Sequence, residues 1–152
     1  MATAKAISSV TSAENLIKQV RYTAKVHVTG GRDGNALSDD GNLKVALTRP
    51  GGSVPGSNPE QLFAAGWAAC FLSAMQKNAG TMNLKLPGET AIDSEVDLGT
   101  GDSGYNLQAR LNVQLPGMQL EEAEKLVQAA HQTCPYSKAT RGNINVDIIV
   151  TV

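Results

Sequence analysis

Cys70 and Cys134 are the two cysteines of this 152-residue chain, and they are the side chains best suited to covalent chemistry. A thiolate is a strong nucleophile, and two thiols that meet in a fold can be oxidised reversibly to a disulfide. Cys70 lies inside the apolar stretch Leu62-Phe-Ala-Ala-Gly-Trp-Ala-Ala-Cys-Phe-Leu-Ser-Ala-Met75. A cysteine in such surroundings often serves as a small inert hydrophobe, because burial raises its pKa and suppresses the thiolate. A reactive Cys70 therefore needs a cation brought to it. Arg32 is the best candidate. Its segment, Thr29-Gly30-Gly31-Arg32-Asp33-Gly34, has flanking glycines that let the backbone approach another element closely. Guanidinium also keeps its charge when partly desolvated. Taken alone, Arg32 reads first as an ordinary solvated loop arginine. Glu60 either complements the macrodipole of the helix it opens or orients Arg32 through a bidentate pair. Cys134 opens Cys134-Pro135-Tyr136-Ser137. It reads as a buried helix-end cysteine or as a resolving thiol on a proline-marked turn that can move.

Other chemistries find little support. His27 and His131 share no ligand-like spacing with the cysteines, so no metal site is expected. No glycine-rich phosphate loop joins a strand to a helix, Ser73 and Ser137 lack a nucleophile elbow, and no cofactor is expected. The formal net charge is -1 and basic residues form no run, so neither nucleic acid nor an acidic membrane is an expected partner. There is no apolar stretch of spanning length, and the first ten residues hold no signal-peptide core. A cytoplasmic location is expected, where thiols are kept reduced and a disulfide is transient or catalytic.

The elements that must position these residues follow from periodicity. Val20, Tyr22, Ala24, Val26 and Val28 alternate with polar residues as a half-buried strand. Asp39-Asp40-Gly41-Asn42 marks a turn, and Leu43, Val45 and Leu47 share one face of a second strand. Ile92 to Leu98 and Tyr105 to Leu115 form a hairpin around Gly99–Gly104 with one solvated face, and Ile144 to Val152 is the last strand. Leu120, Ala123, Leu126, Val127 and Ala130 follow helical spacing. A second helix is expected from Pro59 to Ala79, with Asn58 as N-cap and Gly80 as its stop. Pro50 to Ser57 reads as a flexible loop over its start. The order predicts an α+β domain with mostly antiparallel sheet around a buried central helix. Residues 1–18 form an N-terminal extension, expected to be poorly ordered, and residues 19–152 form a single domain.

A helix apolar nearly all round cannot be covered by one sheet, so a homodimer with two such helices packed together is expected. Along a helix, Glu60 and Cys70 stand about 15 Å apart, too far for one arginine to bridge. If two copies cross antiparallel near Ala65-Gly66, Glu60 of one subunit approaches Cys70 of the other. The active sites would then be composite across the dimer.

Gly30-Gly31-Arg32-Asp33-Gly34, Ser38-Asp-Asp-Gly41, Asn58-Pro-Glu-Gln-Leu-Phe-Ala-Ala-Gly66 with Ala68-Ala-Cys70-Phe71, and Cys134-Pro-Tyr-Ser137 with Ala139-Thr-Arg-Gly-Asn-Ile144 are four distinctive blocks. Together they closely resemble the organic hydroperoxide resistance (Ohr) family of the broader Ohr/OsmC group. The resemblance runs from about Tyr22 to the end. It implies an intertwined OsmC-like α+β homodimer and a cysteine-based peroxidase that prefers organic hydroperoxides to hydrogen peroxide. It further implies Cys70 as the attacking cysteine, Cys134 as the resolving one, Arg32 and Glu60 as the activating pair, and a dithiol reductant, a lipoylated protein. Two departures are the N-terminal extension to about Lys18 and Trp67, where a tyrosine is more typical. Phe63, Trp67 and Phe71 would form an apolar wall for alkyl or fatty-acid peroxides, although core packing explains the same residues. Two other classes stay open: a general disulfide oxidoreductase, which lacks its Cys-x-x-Cys, and a lipid-binding protein with incidental cysteines. The OsmC branch is the nearest competitor within the group.

Overall fold

The computed structural model describes residue 6 and residues 16–152. Most of the expected N-terminal extension lies outside the described residues. The rest is α+β, with two three-stranded sheets and three α-helices.

The first sheet is the meander β1 (Val26–Thr29), β2 (Asn35–Ser38) and β3 (Lys44–Ala46), antiparallel throughout. The expected strand over residues 20–28 is thus cut to its last part. Val26 pairs with Ser38, and the Asp39 amide donates to the Lys25 carbonyl. Residues before Lys25 would need partners beyond the turn at Asp39–Asn42, where the chain reverses. Val20 and Tyr22 accordingly stand exposed. Strand β2 is absent from the periodicity reading because Asn35-Ala-Leu-Ser38 is too short to display alternation. It pairs with β1 across a 3-10 turn at Gly31–Asp33 and with β3 across the turn at Asp39–Asn42, so it stands between the two expected strands. The loop between β3 and the first helix is closed at its base. There the Ser57 amide donates to the Ala46 carbonyl, and the Thr48 amide to the Ser57 carbonyl.

Helix α1 runs Pro59–Thr81. Asn58 accepts from the Gln61 amide while the Gln61 side chain accepts from the Asn58 amide, a capping box that satisfies two orphan donors. Gly80 does not stop the helix as expected. It stays helical, and the chain leaves at Met82 through left-handed Asn83, whose φ is 54°. Strands β4 (Ala91–Gly101) and β5 (Gly104–Gln114) form the expected hairpin around Asp102-Ser103. Helices α2 (Leu120–Thr133) and α3 (Pro135–Thr140) then cross to β6 (Asn145–Thr151), parallel to β5. The expected proline-marked turn after Cys134 is therefore the first turn of α3. Pro135 suits a first helical position because its missing N–H has no helical partner to lose.

The core lies between the β4–β5–β6 sheet and the helices. Ala109, Leu111 and Val113 of β5 meet Trp67, Phe71, Ala74 and Met75 of α1 and Leu126, Val127 and Ala130 of α2. Within one chain α1 is not buried on most sides. Gln61, Ala65, Ala69, Ser73 and Gln76 form an exposed stripe opposite this core. Asn58→Ala should lower stability by about 1 kcal/mol through loss of the cap. Leu111→Ala should lower it by about 2–5 kcal/mol. Both are read from the midpoint of denaturant unfolding.

Candidate active site

The two sulfurs meet where α1 packs against the corner between α2 and α3. Cys70 is half-buried on α1, and Cys134 is fully buried at the corner itself, the C-cap of α2 and N-cap of α3. Their Sγ atoms lie 3.5 Å apart with both thiols free. Contact of this kind lets either sulfur attack the other once one is oxidised. Burial pushes the Cys70 thiol above its ordinary pKa and the neighbouring Cys134 thiol adds to that, while the Tyr136 backbone amide acts in the opposite direction. Among the described residues, none of the groups acting on Cys70 is a cation.

The cation stands elsewhere, already paired. Arg32 Nη1 donates to Glu60 Oε2 at 2.7 Å and Nη2 to Oε1 at 2.6 Å, a bidentate fork. The turn carrying Arg32 depends on glycine. A Cβ on Gly34 would lie 1.7 Å from the Thr29 carbonyl oxygen, and Gly30 and Gly31 take φ of 70° and 58°. Asp33 is tied in turn by Arg49 at 2.6 Å, so the turn is braced on both sides of the arginine. Glu60 sits in the first turn of α1, where the helix dipole favours its charge. Its hydrogen bonds with Arg32 hold its carboxyl below the usual glutamate range against a smaller opposing effect of burial. Glu60 lines an open groove of about 640 Å³ between α1 and β4, together with Asn58, Gln61, Ala64, Ser94 and Val96. The Ser94 hydroxyl is buried there without a hydrogen-bond partner among the described residues. A groove of about 780 Å³ between α2 and β6 includes none of Arg32, Glu60, Cys70 and Cys134.

The aromatic residues divide. Phe63 is half-buried, 5.5 Å from the Trp67 ring and stacked on Tyr136 at 6.2 Å. Trp67 and Phe71 are fully buried. Phe71 faces His131 at 6.4 Å, and the His131 pKa is lowered by burial and then by Arg141. Tyr136 and Ser137 are the residues that periodicity and charge did not single out. The signal for Tyr136 was Gly66. A glycine inside a helix costs about 1 kcal/mol relative to alanine, and here it leaves room for the Tyr136 ring, whose atoms would lie 3.4 Å from an added Cβ. Ser137 carried no such signal, since its role as acceptor from Trp67 Nε1 at 3.3 Å needs the packed fold. Among the described residues no group of three or more His, Cys, Asp or Glu side chains is placed to hold a metal. No helix among them is long and apolar enough to cross a membrane.

A chain thus arranged resembles known proteins along most of its length. Residues 49–149 match the family of OsmC-like proteins. The organic hydroperoxide resistance protein of Xanthomonas axonopodis pv. citri is 49% identical over 135 residues, 86% of this chain and 95% of that one. The crystal structure of the organic hydroperoxide resistance protein OhrB of Bacillus subtilis superposes with a TM-score of 0.82 at 41% identity, over 87% of this chain and all of that one. An organic hydroperoxide resistance protein OsmC from Legionella pneumophila gives 0.83 at 41% identity, over 88% and 100%.

In a carboxyl NMR titration, Glu60 should titrate below the usual glutamate range, and Arg32→Ala should return it to that range. A depressed folded-state pKa contributes stability above the ordinary value that fades as pH falls through the lower one. The destabilisation caused by Arg32→Ala should therefore be largest near neutral pH and shrink in acid.

Proposed function

The chain belongs to the organic hydroperoxide resistance group of the OsmC-like family, and from that membership we propose that it is a thiol peroxidase that reduces organic hydroperoxides. The observation that carries this reading is the 3.5 Å approach of Cys70 and Cys134 Sγ, one half-buried and the other enclosed. Cys70 thiolate attacks the O–O bond, the alcohol leaves, and Cys70 becomes a sulfenic acid. Cys134 then displaces water from that sulfur to give the Cys70–Cys134 disulfide, and an external dithiol, a lipoyl group in this proposal, reduces it by exchange. The reaction belongs in the cytoplasm, where dithiols are kept reduced.

The electrostatics favour a composite site. Burial disfavours the Cys70 thiolate, no cation among the described residues acts on it, and Arg32 is engaged near the far end of α1. The exposed stripe of alanines and Ser73 is a surface on which a second α1 can lie closely. In an antiparallel crossing, the Arg32–Glu60 pair of one subunit approaches the Cys70 of the other. Glu60 then orients the guanidinium, and Arg32 offsets the cost of the buried thiolate. Phe63, with Tyr136 stacked on it, supplies the apolar wall that prefers an alkyl chain to hydrogen peroxide, while Trp67 beside it and Phe71 are fully buried and back that wall only as core.

Two measurements test this. Wild type should consume an alkyl hydroperoxide with dihydrolipoamide. Cys70→Ser should not, and Cys134→Ser should be oxidised once without forming the internal disulfide. Absence of wild-type turnover with any dithiol rejects the peroxidase. Separately, Arg32→Ala should lower the rate of Cys70 oxidation by at least about a hundredfold, as loss of one preorganised charge contact does. Mixing Arg32→Ala chains with Cys70→Ser chains should restore activity, because one site of each mixed dimer holds both native residues. No restoration places the whole site in one chain.

A further inference from the structure

The Cys134 corner is tied to α1 by a side-chain hydrogen bond on either side of the sulfur. Before it, Asn78 Nδ2 donates to Thr133 Oγ1 at 2.7 Å. After it, Trp67 Nε1 donates to Ser137 Oγ at 3.3 Å. The positions are regular. Thr133 immediately precedes Cys134, and Ser137 lies one turn after it. Trp67 lies one turn before Cys70, and Asn78 about two turns after it. Apart from the sulfur contact, these two bonds are the side-chain polar ties from α1 to the α2–α3 corner among the described residues.

Both ties are anchored. Asn78 Nδ2 also donates to the Ala74 carbonyl at 2.7 Å, and the Thr133 hydroxyl donates to the Ala129 carbonyl at 2.9 Å. Trp67 and Ser137 are fully buried. An indole N–H can only donate, so removing its acceptor strands a donor in the core. A serine in an apolar cluster is costly unless bonded, so packing alone gives no reason for Ser137.

We propose that Trp67–Ser137 and Asn78–Thr133 are positioning pairs for disulfide closure, holding Cys134 Sγ against Cys70 so that the sulfenic acid is captured before a second hydroperoxide reaches it. The inference rests on the peroxidase reading above. In the closing step Cys134 thiolate attacks the sulfenic sulfur. The S–S bond forms as the S–O bond breaks, and the departing hydroxide takes up the proton released by Cys134 to leave as water. A disulfide is about 2.05 Å long, so from 3.5 Å the sulfurs need to close by only about 1.5 Å. Held by both ties, the corner needs little more than side-chain rotation to do so. A corner free to drift lengthens the life of the sulfenic acid, and a second oxidation to sulfinic acid is irreversible.

The test uses the full reduced chain mixed rapidly with one equivalent of tert-butyl hydroperoxide, with sulfenic acid and disulfide followed by quenched-flow mass spectrometry. Ser137→Ala and Thr133→Val should each leave Cys70 oxidation within about twofold and slow closure about tenfold, the effect of one lost hydrogen bond on a step that depends on it. Sulfinic acid should accumulate at lower hydroperoxide in both. Ser137→Thr, which keeps the hydroxyl, should restore most of the closure rate. Val113→Ala, in the core away from the corner, should be destabilised yet close at the wild-type rate. Closure unchanged in Ser137→Ala and Thr133→Val, or slowed equally by Val113→Ala, overturns the proposal. If wild type leaves the hydroperoxide intact and forms neither sulfenic acid nor disulfide, the peroxidase reading fails instead. Closure driven by oxidised dithiothreitol then carries the same comparison, and equal rates there overturn the positioning roles.

Discussion

Packing of α1 against the corner between α2 and α3 determines where two sulfur atoms sit, and the rest of the structure serves that contact. The corner exists because α2 ends at Cys134 and Pro135 starts a new helix, so the chain turns with a thiol at its apex. The β4–β5–β6 sheet supplies the apolar bed, with Ala109, Leu111 and Val113 beneath α1 and α2. Interiors are close-packed, so a corner embedded in this way keeps its sulfur near a set position.

The same burial that positions the thiols opposes the ionisation of Cys70. Desolvation raises the Cys70 thiol, and a single helix-start amide from Tyr136 is a small counterweight. A guanidinium is the natural remedy, and the chain builds one with care, on a turn that only glycine can form at Gly34 and with both carboxylate oxygens of Glu60 engaged. Yet that pair lies about 15 Å along α1 from the sulfurs by helix rise. The exposed stripe from Gln61 through Ala65, Ala69 and Ser73 to Gln76 connects the two regions on one face. An antiparallel second copy would bring the separated halves together and cover that stripe at the same time. One packing event would then meet both the hydrophobic and the electrostatic need.

Much of this was legible in the sequence, unevenly. The amphipathic elements were clearest: the β4–β5 hairpin and α2 follow their periodicities, and Asn58-Pro59 marks the start of α1. Where the reading failed, tertiary context had decided. Residues 20–25 alternate as a strand should, but their ladder partner runs out at the turn after Ser38. Gly80 is a plausible stop, but the helix continues one residue beyond it and Asn83 takes the left-handed position. Pairings across the chain were harder still. The Arg32–Glu60 fork could be anticipated from complementary charge on a glycine turn and a helix start. The hydrogen bonds of Trp67 with Ser137 and of Asn78 with Thr133 join residues that carry no mutual signal until α3 is folded onto α1.

The central claim is that Cys70 and Cys134 of one chain form a working redox pair, and the fate of the two sulfurs tests it most directly. The reduced protein is treated with one equivalent of an alkyl hydroperoxide, free thiols are alkylated, and the digest is mapped. The expected result is a Cys70–Cys134 cross-link within a single chain and one equivalent of alcohol. Both cysteines still alkylated with the hydroperoxide intact, or a cross-link joining two chains in place of the internal one, would contradict it.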